Sequence, residues 1–137
     1  MAEMKVAPEV AQAEYERWID AMGLEDKLDE TGMEAEDRKS LNAKKQTLIK
    51  AIQRGHLVVD SEGRFVFTPR FSEDKTPLVF HRPMGRDTEA MGQAKHQEGK
   101  LFKFMVAITH EVDVRFKNLD MAYDGEVCIA IASLFLA

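Results

Sequence analysis

The sequence contains a single cysteine, Cys128, among its 137 residues. One cysteine cannot form an internal disulfide, and without a second one the paired thiolates of a zinc finger are excluded. Cys128 stands in the apolar stretch 127–131. Because apolar surroundings raise the pKa of a thiol, we expect Cys128 to be a small core side chain and not a nucleophile.

Long apolar segments are missing as well. The longest runs from Val127 to Ala137 and is interrupted by Ser133, so it is far shorter than the about 20 residues that span a bilayer. The first residues, MAEMKVAPEVAQAEYERW, lack the basic start and the apolar run of about 7–15 residues that a signal peptide needs. We therefore expect a cytoplasmic protein with no membrane partner.

An excess of positive charge is also lacking, since the net charge is −5. This balance favours solubility and argues against a general nucleic-acid binder. The charge is nevertheless uneven, because residues 25–37 carry seven acids and one base, whereas residues 38–54 carry six bases and no acid. Either acids begin a helix and bases end it, which matches the helix dipole, or the bases form a polyanion-binding strip. The strip has no aromatic residue to stack on a base, which favours the first interpretation.

Two segments near the amino terminus have apolar residues at helical spacing. Pro8 suits the first turn of the first helix, and Gly23 suits its end. A second helix is predicted from about Glu34 to Arg54. The stripe of the first helix consists of Ala11, Tyr15, Trp18, Ile19 and Met22. The stripe of the second consists of Leu41, Leu48, Ile49 and Ile52.

The middle of the chain has the signature of short strands. Residues 56–60 and 64–68 are rich in β-branched and aromatic side chains and flank a loop that contains Gly63, which predicts a β-hairpin. Residues 78–82 lie between two prolines and predict a third strand.

The remaining residues are predicted to be helical. Asp87 or Thr88 is expected to cap a helix that reaches about His96. Residues 101–109 are apolar almost all round and predict a core helix, and Asp120 is expected to cap a last helix that runs to about Leu136.

Two helices, a small antiparallel hairpin or three-stranded sheet, and a carboxyl-terminal helical region make an α+β fold. We divide the chain into a helical extension, residues 1–55, and a hairpin plus helical domain, residues 56–137. The two parts are expected to form one compact unit, since a chain of this length supports a single core.

No arrangement of reactive side chains in the sequence indicates catalysis. The four histidines, His56, His81, His96 and His110, are never three or four residues apart, so no helical metal pair is present. Carboxylates are scattered, and the glycine pattern of a dinucleotide or phosphate loop is absent. We therefore expect no catalytic site, no metal and no cofactor, and a protein that is not an enzyme.

The carboxyl-terminal helices are unusually apolar for a short domain. They either pack on each other and on the hairpin, or leave part of their surface open as a groove for a partner. For such a surface we expect contributions from Phe102, Met105, Leu134 and Phe135. The same surface is expected to bind another protein chain or a second copy of this one.

The segment LVFHRPMGRD, residues 78–87, resembles the strand-to-helix entry of phage tail assembly chaperones. The segment VRFKNLD at 114–120, the following Tyr123–Asp124 pair and the closing SLFL at 133–136 are similar to that family's ending. The resemblance covers about residues 57–137, and the first 55 residues add two helices to the family pattern. It implies a protein of a phage or prophage that acts in the bacterial host cytoplasm. There it would bind the tape measure protein, recruit tail tube subunits and leave before the virion is complete.

Two other functions remain open from the sequence. A structural component of the virion could use the same apolar surface to close a permanent oligomer. A small nucleic-acid-associated regulator could use the basic residues between Arg38 and Arg54, although the charge argument above makes nucleic acid an unfavoured partner.

Overall fold

The structure is a computed structural model that describes residues 5–92 and 94–137. It has the expected α+β architecture, with two helices, a three-stranded sheet and a second helical region. In chain order the elements are α1 (Pro8–Met22), α2 (Ala35–Gln53), β1 (Leu57–Val59), β2 (Phe65–Phe67), β3 (Leu78–Phe80), α3 (Gly85–Met91), α4 (Gln97–Thr109), α5 (Asp113–Lys117) and α6 (Asp124–Phe135). Residues 1–4 of the expected extension lie outside the described residues.

The sheet is antiparallel, with the strand order β1-β2-β3. Leu57 pairs with Phe67, and Phe67 pairs with Leu78 on the third strand. Alternate side chains of all three strands are buried, as the period of two requires. The expected hairpin and third strand are therefore confirmed.

The hairpin turn is fixed by Asp60 and Gly63. One carboxylate oxygen of Asp60 accepts hydrogen bonds from the amides of Glu62 and Arg64, both at 2.9 Å. Gly63 has φ +80°, and a Cβ there would lie 2.3 Å from the Cβ of Ala21 in α1. Only glycine permits this close approach of the turn to the helix.

Trp18 joins the amino-terminal helices to the rest of the chain. Its indole is fully buried, stacks on Phe65 at 4.4 Å between ring centroids and meets Phe135 edge-on at 5.3 Å. The guanidinium of Arg17 also donates to the carbonyl of Val59 at 2.8 Å. Residues on both sides of position 55 consequently share one hydrophobic core.

The helices after the sheet differ in their bounds from the sequence expectation. α3 begins at Gly85 and ends at Met91, whereas we expected a helix from Asp87 or Thr88 to about His96. Gln93, within that expected helix, lies outside the described residues. The reason for the early start is that the Asp87 carboxylate reaches back to the Met84 amide at 2.7 Å, which closes the turn before it.

Asp120 binds the start of α6, although the residue at the N-cap position is Tyr123 and not Asp120 as expected. Its carboxylate accepts hydrogen bonds from the amides of Tyr123 at 2.9 Å and Asp124 at 3.0 Å. These amides, Asp124 first, hold the pKa of the Asp120 carboxyl below its usual value.

Asp124 itself is fully buried and ties the loop between β2 and β3 to the start of α6. Its two oxygens accept hydrogen bonds from the amides of Arg70 at 2.7 Å, Phe71 at 2.9 Å and Ser72 at 2.8 Å. The Ser72 hydroxyl adds a fourth at 2.7 Å. These four donors and the positive end of the helix dipole satisfy a charge that would otherwise be costly to bury.

Two histidines stack at the junction of β3 and α4. The rings of His81 and His110 are 3.9 Å apart and within 8° of parallel, and the His81 amide donates to the carbonyl of Ile108 at 2.8 Å. Burial lowers the pKa of His81, and the charges of His110 and Arg64 lower it further, although Asp87 and Asp60 act in the opposite sense.

This geometry predicts that stability decreases on mild acidification. The lowered pKa of His81 means that the unfolded chain, with a histidine pKa of about 6.5, binds the proton more readily. The stabilisation is therefore complete above about pH 6.5 and is lost as the pH falls through the folded pKa. Urea unfolding between about pH 7.5 and 5.5 measures this loss of stability. His81→Asn is expected to make the free energy of unfolding less dependent on pH. If His96→Asn, at an exposed histidine, reduced the pH dependence equally, the stacked pair would not be the source of the effect.

Candidate functional site

The structure encloses three of the four side chains that we expected to bind a partner. Met105, Leu134 and Phe135 are buried in the hydrophobic core. Phe102 is half-buried, and its ring meets Phe116 edge-on at 6.2 Å. The four residues therefore do not form one exposed surface, and only Phe102 is partly accessible.

The position of α6 explains this burial. The helix packs against α2 on one side and α4 on the other, and Trp18 covers Phe135 from α1. Because α6 is apolar nearly all round, neighbouring helices cover most of its length. At its last turn Ser133 is half-buried, and Leu136, the residue after the helix, is 37% exposed.

A groove runs past this last turn of α6, and we call it the α6 groove. It consists of two cavities, of about 310 Å³ and about 410 Å³, that share Lys44, Ser133 and Ala137. The first is further lined by Lys27, Leu28, Met33, Asp37, Ser40, Leu41 and Leu134. The second is further lined by Met91, Lys100, Leu101 and Leu136.

The α6 groove combines an apolar floor with a basic rim. The apolar side chains come from the loop before α2, from α2 itself and from the ends of α3, α4 and α6; they are Leu28, Met33, Leu41, Met91, Leu101 and Leu136. Lys27, Lys44 and Lys100 supply positive charge, against the single carboxylate of Asp37. Lys27 also donates to the carbonyl of Phe135, which satisfies one of the free carbonyls at the end of α6.

A separate pocket of about 340 Å³ adjoins the α6 groove, and its lining has more acidic than basic side chains. It shares Leu28 and Leu41 with the groove, and its other lining residues are Gln12, Tyr15, Glu16, Ile19, Glu25, Glu30 and Lys45. Burial raises the pKa of Tyr15 to about 12, and the negative charge of Glu30 adds to this rise. The surface of α1 and α2 thus changes from acidic to basic across the two leucines.

Metal-ligating side chains are scattered over residues 5–92 and 94–137. No group of three or more His, Cys, Asp or Glu side chains among them is placed to hold a metal ion. Cys128 is fully buried, and burial, with the nearby charge of Asp124, raises the pKa of its thiol far above the usual range. The expectation of a core cysteine is confirmed.

Comparison of the chain with protein-family models, curated proteins and solved structures finds no match. Within the described part of the chain, none of the helices combines the length and apolar character needed to cross a bilayer. The fold and the site therefore define the chain as an α+β protein with an apolar, lysine-rimmed groove at the end of its last helix.

Proposed function

We propose that this chain is a phage tail assembly chaperone that binds a helical segment of the tape measure protein in the α6 groove. The observation that carries the proposal is the continuity of the two groove cavities around the last turn of α6. Part of this groove lies within residues 57–137, where the sequence resembles that family. We place its action in the bacterial host cytoplasm.

The chemistry of the groove supports an amphipathic helix as the occupant. A long helix with an apolar stripe self-associates unless the stripe is covered, and helix-in-groove binding covers it. The groove offers apolar side chains from both walls, for example Leu41 and Leu101, along one path. Its lysines would pair with acidic residues beside the stripe, which favours one orientation and speeds association.

The other partners follow from the resemblance alone. Tail tube subunits would bind elsewhere on the chain, and a second copy of the chain is a further possible partner. A permanent virion component would remain in purified particles, whereas a chaperone leaves before maturation. Mass spectrometry of purified particles separates the two functions. Absence of the chain from the particles would support the chaperone, and presence of the chain at full stoichiometry would contradict it.

Charged substitutions in the groove are expected to weaken client binding at least about tenfold, because each removes a leucine contact worth about 1.5–3 kcal/mol. Leu101→Glu and Leu136→Asp place an acid on the two sides of the second cavity. Val10→Asp is the matched control, since Val10 is an exposed apolar residue outside the groove. Titration of a labelled amphipathic helix from the tape measure protein measures the affinities.

The result is decisive only for folded variants, so each is first compared with the parent by circular dichroism. Equal affinity of the Leu101, Leu136 and Val10 variants would remove the α6 groove as the binding site. Loss of binding in the Val10 variant alone would move the site to α1.

A further inference from the structure

A cluster of basic and aromatic side chains surrounds Tyr123, away from the residues that line the α6 groove. The Tyr123 hydroxyl is 2.7 Å from Nδ1 of His56, and the two rings meet edge-on. Phe71 meets the same tyrosine ring edge-on at 5.8 Å. The guanidinium carbon of Arg54 is 5.7 Å from the Tyr123 ring centroid, and that of Arg70 is 5.4 Å from the Phe71 centroid.

The basic side chains of this Tyr123 cluster form no ion pair within the described part of the chain. Lys5, Arg54 and Arg70 all lie close enough for their charges to act on His56. Within the described residues, none of the three has an acidic group at ion-pair distance. The acid that faces His56 is Asp124, whose oxygens are already occupied by the loop amides and the Ser72 hydroxyl. A chain with a net charge of −5 thus carries a local cationic site.

Arg54 also has a donor that the protein leaves unused. Its Nε is buried and has no hydrogen-bond partner within the described part of the chain. A buried N–H without an acceptor is destabilising, but this Nε is closed to solvent, so a ligand would meet the outer N–H groups of the half-buried Arg54 guanidinium. The planar guanidinium fork matches the oxygens of a phosphate, which a second arginine can bind from another side.

Phe71 adds an exposed aromatic surface to the basic side chains of the site. Its side chain is 64% exposed, which is unusual for a phenylalanine. Its backbone is nevertheless held rigidly, because the amides of Arg70, Phe71 and Ser72 all donate to the buried Asp124 carboxylate. An exposed ring on a fixed loop beside a guanidinium is a suitable surface on which a nucleobase stacks.

We infer that the Tyr123 cluster binds a nucleotide unit, with the phosphate held by Arg54, Arg70 and Lys5 and the base stacked on Phe71. The ligand is either a short stretch of single-stranded nucleic acid or a free nucleotide, since both present the same phosphate and ring. The Tyr123 cluster is a local site, because the chain as a whole has a net charge of −5. It also lies apart from the strip between Arg38 and Arg54 considered from the sequence, except for Arg54 itself.

Fluorescence anisotropy of a labelled oligothymidine of about eight nucleotides, at about 50 mM salt, tests the inference on the full chain. Phe71→Ala is expected to weaken binding about tenfold, since one base loses its stacking partner. Phe71→Leu is expected to weaken it similarly because leucine keeps apolar surface but has no ring. Arg70→Ala is expected to weaken binding and to lower the salt dependence by about one counterion.

Arg38→Ala is the matched control, because Arg38 is an exposed arginine of α2 outside the cluster; it is expected to change the affinity less than about twofold. Competition with adenosine monophosphate, and with inorganic phosphate, distinguishes a free nucleotide from single-stranded nucleic acid as the ligand. Competition by the mononucleotide identifies a free nucleotide site, and competition only by unlabelled strand identifies single-stranded nucleic acid. Both support the inference.

Three results would overturn it. One is no binding by the parent chain even at low salt. Another is equal weakening in the Arg38 variant, which would indicate a diffuse charge effect. The third is equal competition by a polyglutamate peptide, which would show that the cluster takes any acidic chain. Folding of each variant is checked by its thermal transition, which exposed Phe71 and Arg70 are not expected to move.

Discussion

Replacement of Asp124 by alanine is expected to lower the free energy of unfolding by about 3 kcal/mol or more, since hydrogen bonds to a charged group contribute about 1.5–3 kcal/mol each and are not additive. The carboxylate accepts four hydrogen bonds from the loop of Arg70 to Ser72. Alanine leaves these donors without an acceptor, and the two of Ser72 are buried. The loop is then expected to separate from the start of α6.

Asp124→Asn separates shape from charge at the same position. The amide keeps one acceptor oxygen but points N–H groups at donors, so we expect a destabilisation of about 2 kcal/mol or more. Asp113→Ala is the control, because Asp113 forms an ion pair with Lys103 at 2.7 Å near the surface, and such pairs contribute about 0–1 kcal/mol. Urea unfolding followed by Trp18 fluorescence measures all three variants. Equal stability of the Asp124 and Asp113 variants would contradict the assigned role.

Trp18→Ala is expected to cost about 3–5 kcal/mol, the range for removing a large buried aromatic side chain. The loss is expected to affect the whole chain, because the indole contacts both Phe65 of β2 and Phe135 of α6. Far-UV circular dichroism during urea unfolding is the measurement, since the variant has no tryptophan. A single transition at lower urea concentration is the predicted result.

Trp18→Phe is the matched variant. It keeps an aromatic ring in the core and removes the indole N–H, which is buried without a hydrogen-bond partner in the described residues. Removing that donor offsets part of the lost packing, so we expect a cost below about 2 kcal/mol. If Trp18→Ala left an unchanged transition for most of the signal, residues 56–137 would fold independently of α1, contrary to the shared core.

The sequence predicts most of the fold because its local signals are strong. The helical stripe of α1 and the alternation around Gly63 each specify an element without help from distant residues. α5 was not predicted, since its five residues are too few for a periodic signal. The early start of α3 depends on a contact between the Asp87 side chain and the Met84 amide, which spacing alone does not show.

The candidate site could be predicted only in part. The apolar character of the last helix is visible in the sequence, but its cover by Trp18 is a contact between the two ends of the chain. This contact places Phe135 in the core and leaves Leu136 beside the groove. Leu28 and Met33 line the other end of the groove, yet they stand as isolated apolar residues within an acidic stretch and form no pattern. An apolar residue in such a stretch is the signal that could have indicated them.

The Tyr123 cluster could not be predicted from the sequence either. Its side chains come from parts of the chain that lie far apart in the sequence. The loop between β2 and β3 places Arg70 through its bond to Asp124, and the bond from the Lys5 amide to the Gln53 carbonyl, at 2.6 Å, places Lys5 beside the end of α2. Only the Tyr123–Asp124 pair is noticeable in the sequence, where it forms part of the family resemblance. Side chains that converge through tertiary contacts are the part of a site that composition and spacing do not reveal.

Co-expression of the chain with the full tape measure protein is the most direct test of the proposed function. The account predicts that the two proteins co-purify and that the soluble fraction of the tape measure protein rises, whereas the Leu101→Glu variant abolishes both effects and Val10→Asp does not. If the tape measure protein stays insoluble and does not co-purify with the unaltered chain, the chaperone proposal is contradicted.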